Sequence, residues 1–245
     1  MLKRIVRPSA HLVTFVLLLR LNLSKPQQKH LLRTADGIIV CEERKTLANL
    51  YRQWVEAPDA SAVADFFRVS PWEAEEIRQT LGAFVLADML QRAEEEGAEP
   101  IVWVSIDDTT TRKDKETQAI EAVDWTFDHA AAGKGETAYC KGAVHVTLRV
   151  QIGRYSYVFA WRLYLRERTV RRLNRERPQG QRLRFKSKYR LAREMLEELR
   201  ALLPPGYTVY VLFDRWYASG KLIQFIRRQG WHVICALKGN RKLNG

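Results

Sequence analysis

The spacing of apolar residues in positions 1–100 is that of amphipathic helices. Leu47, Leu50, Tyr51 and Trp54 fall at i, i+3, i+4 and i+7, which places them on one helix face. Cap and breaker residues between the apolar stretches mark where each helix begins and ends. The pattern predicts five helices, at about residues 9–20, 26–37, 42–54, 62–67 and 71–96.

The start of the last helix carries the clearest local signal in this part of the chain. Ser70-Pro71-Trp72-Glu73 offers an N-cap serine, a proline for the first helical position and an acid three residues after the cap. A break at residues 97–100 follows, so residues 1–97 are predicted to form a helical N-terminal domain. Short helices with tight breaks are typical of DNA-binding bundles but are also common elsewhere, and this domain is not basic. DNA binding and a purely structural role both remain open for it.

The apolar pattern changes from helical to alternating after residue 98. Ile101–Ile106, Gly142–Ile152 and Tyr155–Leu165 are predicted strands, and a turn at Gly153-Arg154 joins the last two. Three consecutive strands of this kind predict an antiparallel meander.

Helices and strands alternate in the rest of the chain. Ser187 precedes a predicted helix that Pro204-Pro205-Gly206 stops. The elements predicted from this point are a helix at 189–203, a strand at 208–213, a helix at 218–229 and a strand at 231–237. Three strands followed by helix, strand, helix and strand predict a mixed α/β fold for residues 98–245.

Composition and cysteine usage narrow the class of protein. The chain has 245 residues, 46% hydrophobic and 28% charged, as in ordinary globular proteins. Its longest apolar run, Leu12–Leu19, is far shorter than the roughly 20 residues that a membrane span needs. Cys41, Cys140 and Cys235 show no paired spacing, which favours a reducing compartment. We therefore expect a cytoplasmic protein that does not bind a membrane.

The net charge of +13 comes from the second part of the chain. Residues 1–100 carry 13 Lys and Arg against 14 Asp and Glu, whereas residues 101–245 carry 28 against 14. Residues 162–193 alone hold 13 basic and 2 acidic side chains, with aromatic residues between them. Such a segment can be a solvated loop that keeps the protein soluble, but so concentrated a positive field favours contact with nucleic acid.

Three aspartates are candidates for chemistry. Asp107 and Asp108 directly follow the first predicted strand, and Asp214 directly follows the strand at 208–213. Ligands of open α/β sheets bind outside strand ends, so neighbouring strands would bring Asp214 and one of the adjacent pair together. Alternation along a strand prevents both members of the pair from pointing to the same place. Converging carboxylates repel unless a cation neutralises them, and hard oxygen ligands favour Mg²⁺ or Mn²⁺. Beside a basic surface, such a metal site predicts phosphodiester hydrolysis or strand transfer.

The alternative for these aspartates is capping. Asp107 would cap a turn with Thr109 or Thr110, and Asp214 would cap the helix that follows it. Each aspartate alone favours capping, whereas their joint placement beside the basic segment favours the metal site. A haloacid-type phosphatase is a weaker alternative, because that chemistry needs Asp-x-Asp and here the two aspartates are adjacent.

Three segments together resemble the DDE transposases of bacterial insertion sequences: Ile106-Asp-Asp-Thr-Thr110, Val211-Leu-Phe-Asp-Arg-Trp-Tyr-Ala218 and Ala236-Leu-Lys-Gly-Asn-Arg-Lys-Leu243. The similarity runs from about residue 98 to the end, and the N-terminal helices show a weaker similarity. The resemblance implies an RNase H-like α/β core, a mixed sheet flanked by helices, in which two Asp and one Glu hold two Mg²⁺ ions to cut and join transposon ends. By that pattern Asp108, directly before Thr-Thr, and Asp214 are the first two catalytic metal ligands.

The third ligand that the resemblance implies is missing from its expected place. In the relatives the final Glu lies on a helix reached after a large insertion beyond the last core strand, whereas this sequence stops at Gly245. Glu194, Glu197 and Glu198 lie on a different predicted helix. We therefore expect a transposase fragment that is weak or inactive alone. The alternative is a catalytically inactive DNA-binding protein derived from a transposase.

The resemblance and the charge pattern together predict DNA as the partner. The expected DNA comprises transposon ends and target, with a homodimer on DNA and a nucleoid-associated location as further expectations. Candidate DNA-binding residues lie in the basic segment, next to Asp214 and after the last strand: Arg171, Arg172, Arg175, Arg184, Lys186, Lys188, Arg215, Lys238, Arg241 and Lys242.

Overall fold

The computed structural model describes residues 4–57, 59–118, 120–128, 138–237 and 239. The chain forms two units, residues 1–84 and 85–245. Their division falls inside the helix Ala74–Glu95, whereas the sequence pattern placed the domain boundary after residue 97. Within the described ranges, no helix is long and apolar enough to cross a membrane.

The first unit is helical, and side-chain caps begin several of its helices. The Ser24 hydroxyl accepts from the Gln27 amide while the Gln27 side chain accepts from the Ser24 amide, a reciprocal capping box. The helices are α1 (Ala10–Leu18), α2 (Lys25–Val40), α3 (Leu47–Arg52), α4 (Ala60–Arg68) and α5 (Ala74–Glu95), which continues into the second unit. A small buried cluster in this unit contains Cys41, Leu50, Tyr51 and Val63.

The prediction that Ser70 caps the long helix is wrong. Helix α5 begins at Ala74, and the carbonyl of Glu73 accepts its first amide bonds. The Ser70 hydroxyl instead accepts a hydrogen bond from the Gln27 side chain at 2.9 Å, and Trp72 stacks on Phe66 with 4.9 Å between ring centroids. These tertiary contacts accompany a non-helical conformation of residues 70–73, so the local capping signal is overridden.

The second unit is built on a mixed six-stranded sheet. Its strands are β1 (Ile101–Arg112), β2 (Asp124–Phe127), β3 (Tyr139–Ile152), β4 (Tyr155–Tyr164), β5 (Thr208–Phe213) and β6 (His232–Cys235). The strand order is β2-β3-β1-β5-β6, and β4 also pairs with β3. The pairs β1-β3, β3-β4 and β2-β3 are antiparallel, whereas β1-β5 and β5-β6 are parallel. The predicted fold class, a mixed α/β sheet flanked by helices, is confirmed.

The basic segment at residues 162–193 is not a single loop. It contains helix α6 (Glu167–Leu173) and a short 3-10 turn (Gln179–Gln181), and it leads into helix α7 (Lys188–Leu202). Ser187 caps α7 as predicted, since its hydroxyl accepts from the Arg190 amide. The last helix, α8 (Gly220–Arg228), is shorter than its predicted span.

One face of the sheet carries the core. Along β1, Val102, Val104 and Ile106 are buried while the residues between them are exposed, as alternation requires. The apolar side of α7 shares this core through Leu191, Met195, Leu196 and Leu199, and α8 adds Leu222 and Ile226. Asp108 continues the buried row of β1, whereas Asp107 belongs to the exposed row.

Strand β1 is longer than its apolar run. It continues to Arg112 because it stays paired with β3 as far as Gly142, whereas its pairing with β5 ends at Ile106 and Phe213. The prediction that the adjacent aspartates lie at the end of the strand is therefore wrong. They lie inside β1, at the point where its neighbour β5 stops.

Candidate active site

A cleft of about 950 Å³ opens where β1 loses its pairing with β5. The two strands are parallel neighbours in register, so the adjacent aspartates of β1 and Asp214 all line this cleft. The first residues of α7 form another side of it. The strands that lead to Asp108 and Asp214 are thus neighbours, which is the condition under which the sequence pattern brings these carboxylates together.

Asp108 meets two side chains from outside β1. The ammonium of Lys188, the first residue of α7, lies 2.6 Å from Asp108 Oδ2. The hydroxyl of Tyr217 donates to Asp108 Oδ1 at 3.2 Å. Position on the core-facing row of β1 therefore makes Asp108, rather than Asp107, the carboxylate that contacts α7 and the segment after β5.

Asp214 organises the turn that follows β5. Its Oδ1 accepts hydrogen bonds from the amides of Trp216 at 2.9 Å and Tyr217 at 3.3 Å. Helix α8 is capped by Ser219 instead, so the alternative in which Asp214 caps that helix is wrong. Asp214 Oδ2 has no hydrogen bond to any described residue and remains available to a ligand.

Tyr217 connects the two carboxylates. Its hydroxyl donates to Asp108 and its backbone amide donates to Asp214, and its side chain is buried. Burial raises the pKa of the Tyr217 hydroxyl, and the charges of Asp108, Asp107 and Asp214 raise that pKa further. The hydroxyl therefore stays protonated as a donor, and the three carboxylates act on it together.

Asp107 lies at the same cleft on the other row of β1. Its Oδ1 accepts from the Asp108 amide at 2.8 Å. Residues 107–110 lie within β1, so the alternative in which Asp107 caps a turn with Thr109 or Thr110 is wrong. Burial raises the pKa of Asp107, and the charges of Asp108 and Asp214 add to that rise. The cleft thus concentrates negative charge where β5 ends beside β1, as a cation-binding site requires.

The predicted DNA-binding residues fall into separate groups. Lys188 and Arg215 line the carboxylate cleft, whereas Arg171, Arg172 and Arg175 line a second cleft of about 720 Å³ beside β2 and α6. Lys186 bonds to Glu194 at 2.8 Å, and Arg184 is exposed outside both clefts. Lys238, Arg241 and Lys242 lie outside the described residues.

Comparison with known proteins identifies the family. The sequence model described as DDE superfamily endonuclease matches residues 19–244. The chain belongs to the DDE superfamily endonucleases. No curated protein matches it.

Two solved structures of transposases resemble this endonuclease weakly. The piggyBac transposase synaptic complex with hairpin DNA is 10% identical with a TM-score of 0.41, and the match covers 91% of this chain and 44% of that one. The Mos1 transposase paired-end complex with left transposon end is 15% identical with a TM-score of 0.28, and the match covers 94% of this chain and 60% of that one. The chain thus spans less than two thirds of either protein.

The donor set of this DDE superfamily endonuclease fits a divalent cation. Carboxylate oxygens are the ligands that Mg²⁺ prefers, and Mg²⁺ often uses only one or two protein carboxylates with water and phosphate completing its shell. Asp108 and Asp214 would hold the ion, and Asp107 adds charge beside them. Among the described residues, no three His, Cys, Asp or Glu side chains come together to hold a metal, so the third acidic ligand is not found there.

Sequence reasoning missed three residues of the endonuclease cleft. Tyr217, Arg166 and Asp128 were not among the candidates from the sequence, although all three line the cleft. Asp128, which follows β2, accepts at Oδ2 from Arg112 Nε at 2.8 Å, and Arg112 ends β1 on the other side of β3. The signal for Tyr217 was its position three residues after Asp214, where its amide can bond that carboxylate.

Proposed function

We propose that this endonuclease is a DNA transposase that cuts DNA strands at transposon ends and transfers them, using Mg²⁺ or Mn²⁺ held by Asp108 and Asp214. The single observation that carries the proposal is the bridge through Tyr217, which bonds both carboxylates at the mouth of one cleft. Cationic side chains at the same cleft suit a phosphodiester substrate.

Each residue of the cleft has a distinct part in this proposal. The bound cation would neutralise charge on the phosphate and position the attacking and leaving oxygens. Asp108 and Asp214 supply its oxygen ligands, and Tyr217 orients Asp108 by donating to Oδ1. Arg166 and Arg215 line the cleft and would hold phosphate oxygens of the DNA strand.

The second cleft would extend the DNA contact away from the cut. Arg168 lines both this cleft and a small groove that shares Arg166 and Lys188 with the carboxylate cleft. Basic residues therefore line a continuous path along the surface from the carboxylate cleft to Arg172 and Arg175. A homodimer on DNA and a nucleoid-associated location belong to the same proposal.

Replacing Arg175 by Gln is expected to weaken DNA binding and to lower the slope of log affinity against log salt by about one, because one phosphate contact is lost. The measurement is fluorescence anisotropy with labelled duplex DNA between low and moderate salt. The matched control is Arg154→Gln, in the turn between β3 and β4, where Arg154 pairs with Glu96. An equal slope for the Arg175 variant and the wild type would mean that the second cleft does not contact DNA.

Replacing Asp214 by Asn is expected to reduce nicking of supercoiled plasmid in Mn²⁺ by at least about 100-fold, since metal ligands matter at least as much as their hydrogen-bond partners. Affinity for DNA should stay at the wild-type value, measured on the same preparations. Asp114→Asn, outside the cleft, serves as the control and should nick like the wild type. Equal nicking by the Asp214 variant would contradict the proposed role of Asp214.

A second candidate function is a DNA-binding protein of this family without nuclease activity. It is favoured by the Lys188–Asp108 ion pair, which already neutralises one carboxylate without a metal. Wild-type protein that binds DNA and metal but leaves plasmid uncut would identify this candidate.

A further inference from the structure

Lys188 occupies an unusual place for a cation. It is the first residue of α7, where the positive end of the helix dipole disfavours positive charge, and the first turn of α7 holds no acidic residue. An anion elsewhere must compensate, and Asp108 does so at 2.6 Å. The two side chains are 34% and 25% exposed, so solvent reaches the pair and the contact can exchange.

The same ammonium, while it bonds Asp108, also contacts an aromatic ring. Lys188 Nζ lies 5.5 Å from the centre of the Tyr164 ring, within the range of a cation–π contact. Lys188 and Tyr164 line both the carboxylate cleft and the adjoining groove. The flexible lysine stem can therefore leave Asp108 and still remain at the edge of the cleft that DNA would enter.

An ammonium and a divalent cation cannot share Asp108 Oδ2 at contact distance, because two positive charges would meet at one oxygen. Asp108 Oδ1 already accepts a hydrogen bond from Tyr217, so Oδ2 is the oxygen left for a metal, and a metal that binds it displaces Lys188. Building on the proposed function, we propose that Lys188 is an exchangeable counter-ion: it neutralises Asp108 when no metal is bound, and on metal binding it moves to a phosphate of the DNA. Lys188 is thus a positioning residue that couples metal loading to DNA contact.

The first test is calorimetric titration of Mn²⁺ into the full chain without DNA. Lys188→Gln is expected to bind Mn²⁺ roughly 5- to 10-fold more tightly than the wild type, the range expected for removing a partly exposed competing charge. Lys188→Arg keeps the competitor and should stay close to the wild type. Lys221→Gln, which removes the same charge from the exposed first turn of α8, is the control and should also match the wild type.

The second test distinguishes Lys188 bound to Asp108 from Lys188 bound to phosphate by the salt dependence of DNA binding. With chelator present, Lys188→Gln should leave the salt slope of DNA binding unchanged, because the lysine is held by Asp108. With Mn²⁺ present, the same variant should lower that slope by about one, because a phosphate contact is lost. A purely structural ion pair would give the same slope change under both conditions.

The outcomes distinguish this inference from the proposed function. Wild-type protein that fails to bind Mn²⁺, with every variant behaving alike, would overturn the proposed metal site. Wild-type protein that binds Mn²⁺ while Lys188→Gln binds no more tightly would leave the metal site standing and overturn the exchange. Lys188→Gln that binds more tightly while Lys188→Arg does not would support it.

Discussion

Replacing Asp108 by Asn is expected to weaken binding of Mn²⁺ by at least about 100-fold, because a neutral amide replaces the carboxylate at the centre of the site. Asp108 is the only carboxylate among the described residues that bonds both Lys188 and Tyr217, so no neighbour takes its place. Calorimetry without DNA measures the loss directly. DNA affinity in chelator should not fall, since the change removes a negative charge from the cleft.

The control for the Asp108 variant is Asp88→Asn on α5. Asp88 is a half-buried aspartate that pairs with Arg92 at 2.8 Å and does not line the cleft. Its variant should bind Mn²⁺ like the wild type. If Asp108→Asn also bound Mn²⁺ like the wild type, Asp108 would not be a metal ligand, and the ion pair with Lys188 would be its whole role.

Replacing Leu199 by Ala is expected to lower the free energy of unfolding of the second unit by about 3 kcal/mol, as large-to-small changes in buried cores do. Leu199 is fully buried on the side of α7 that packs on the sheet. The same helix positions Lys188 at the cleft, so its loosening should also weaken the metal site. Urea denaturation followed by tryptophan fluorescence measures the change.

Leu202 is the matched control on the same helix. Its side chain is 43% exposed, so Leu202→Ala should change the free energy of unfolding by less than about 0.5 kcal/mol. Equal destabilisation by the two variants would mean that the packing of α7 on the sheet is not as the structure has it.

Local signals predicted the elements that carry the carboxylates. The apolar run of β5 is bounded by Gly206 and Asp214, and the strand has the predicted bounds. Ser187 begins α7 as its capping chemistry indicates. The parallel pairing of β5 with β1 agrees with the predicted mixed sheet. It meets the condition under which the sequence brings Asp108 and Asp214 to one cleft.

Contacts between distant residues could not be predicted from local pattern. Lys188 and Asp108 are 80 positions apart, and Tyr217 and Asp108 are 109 apart. The sequence marked Lys188 as one basic residue among many, and nothing local singled it out as the partner of Asp108. Strand β2 was missed because it is only four residues long and Asp124 opens it. The end of β1 was missed because polar residues follow its apolar run, although β-branched threonines suit a strand.

The central claim is that Asp108 and Asp214 hold one divalent cation between them, and anomalous diffraction from crystals grown with Mn²⁺ tests it most directly. The account predicts a manganese peak in contact with a carboxylate oxygen of each residue, with Lys188 moved away from Asp108. A peak elsewhere, or no peak while Lys188 still bonds Asp108, would contradict it.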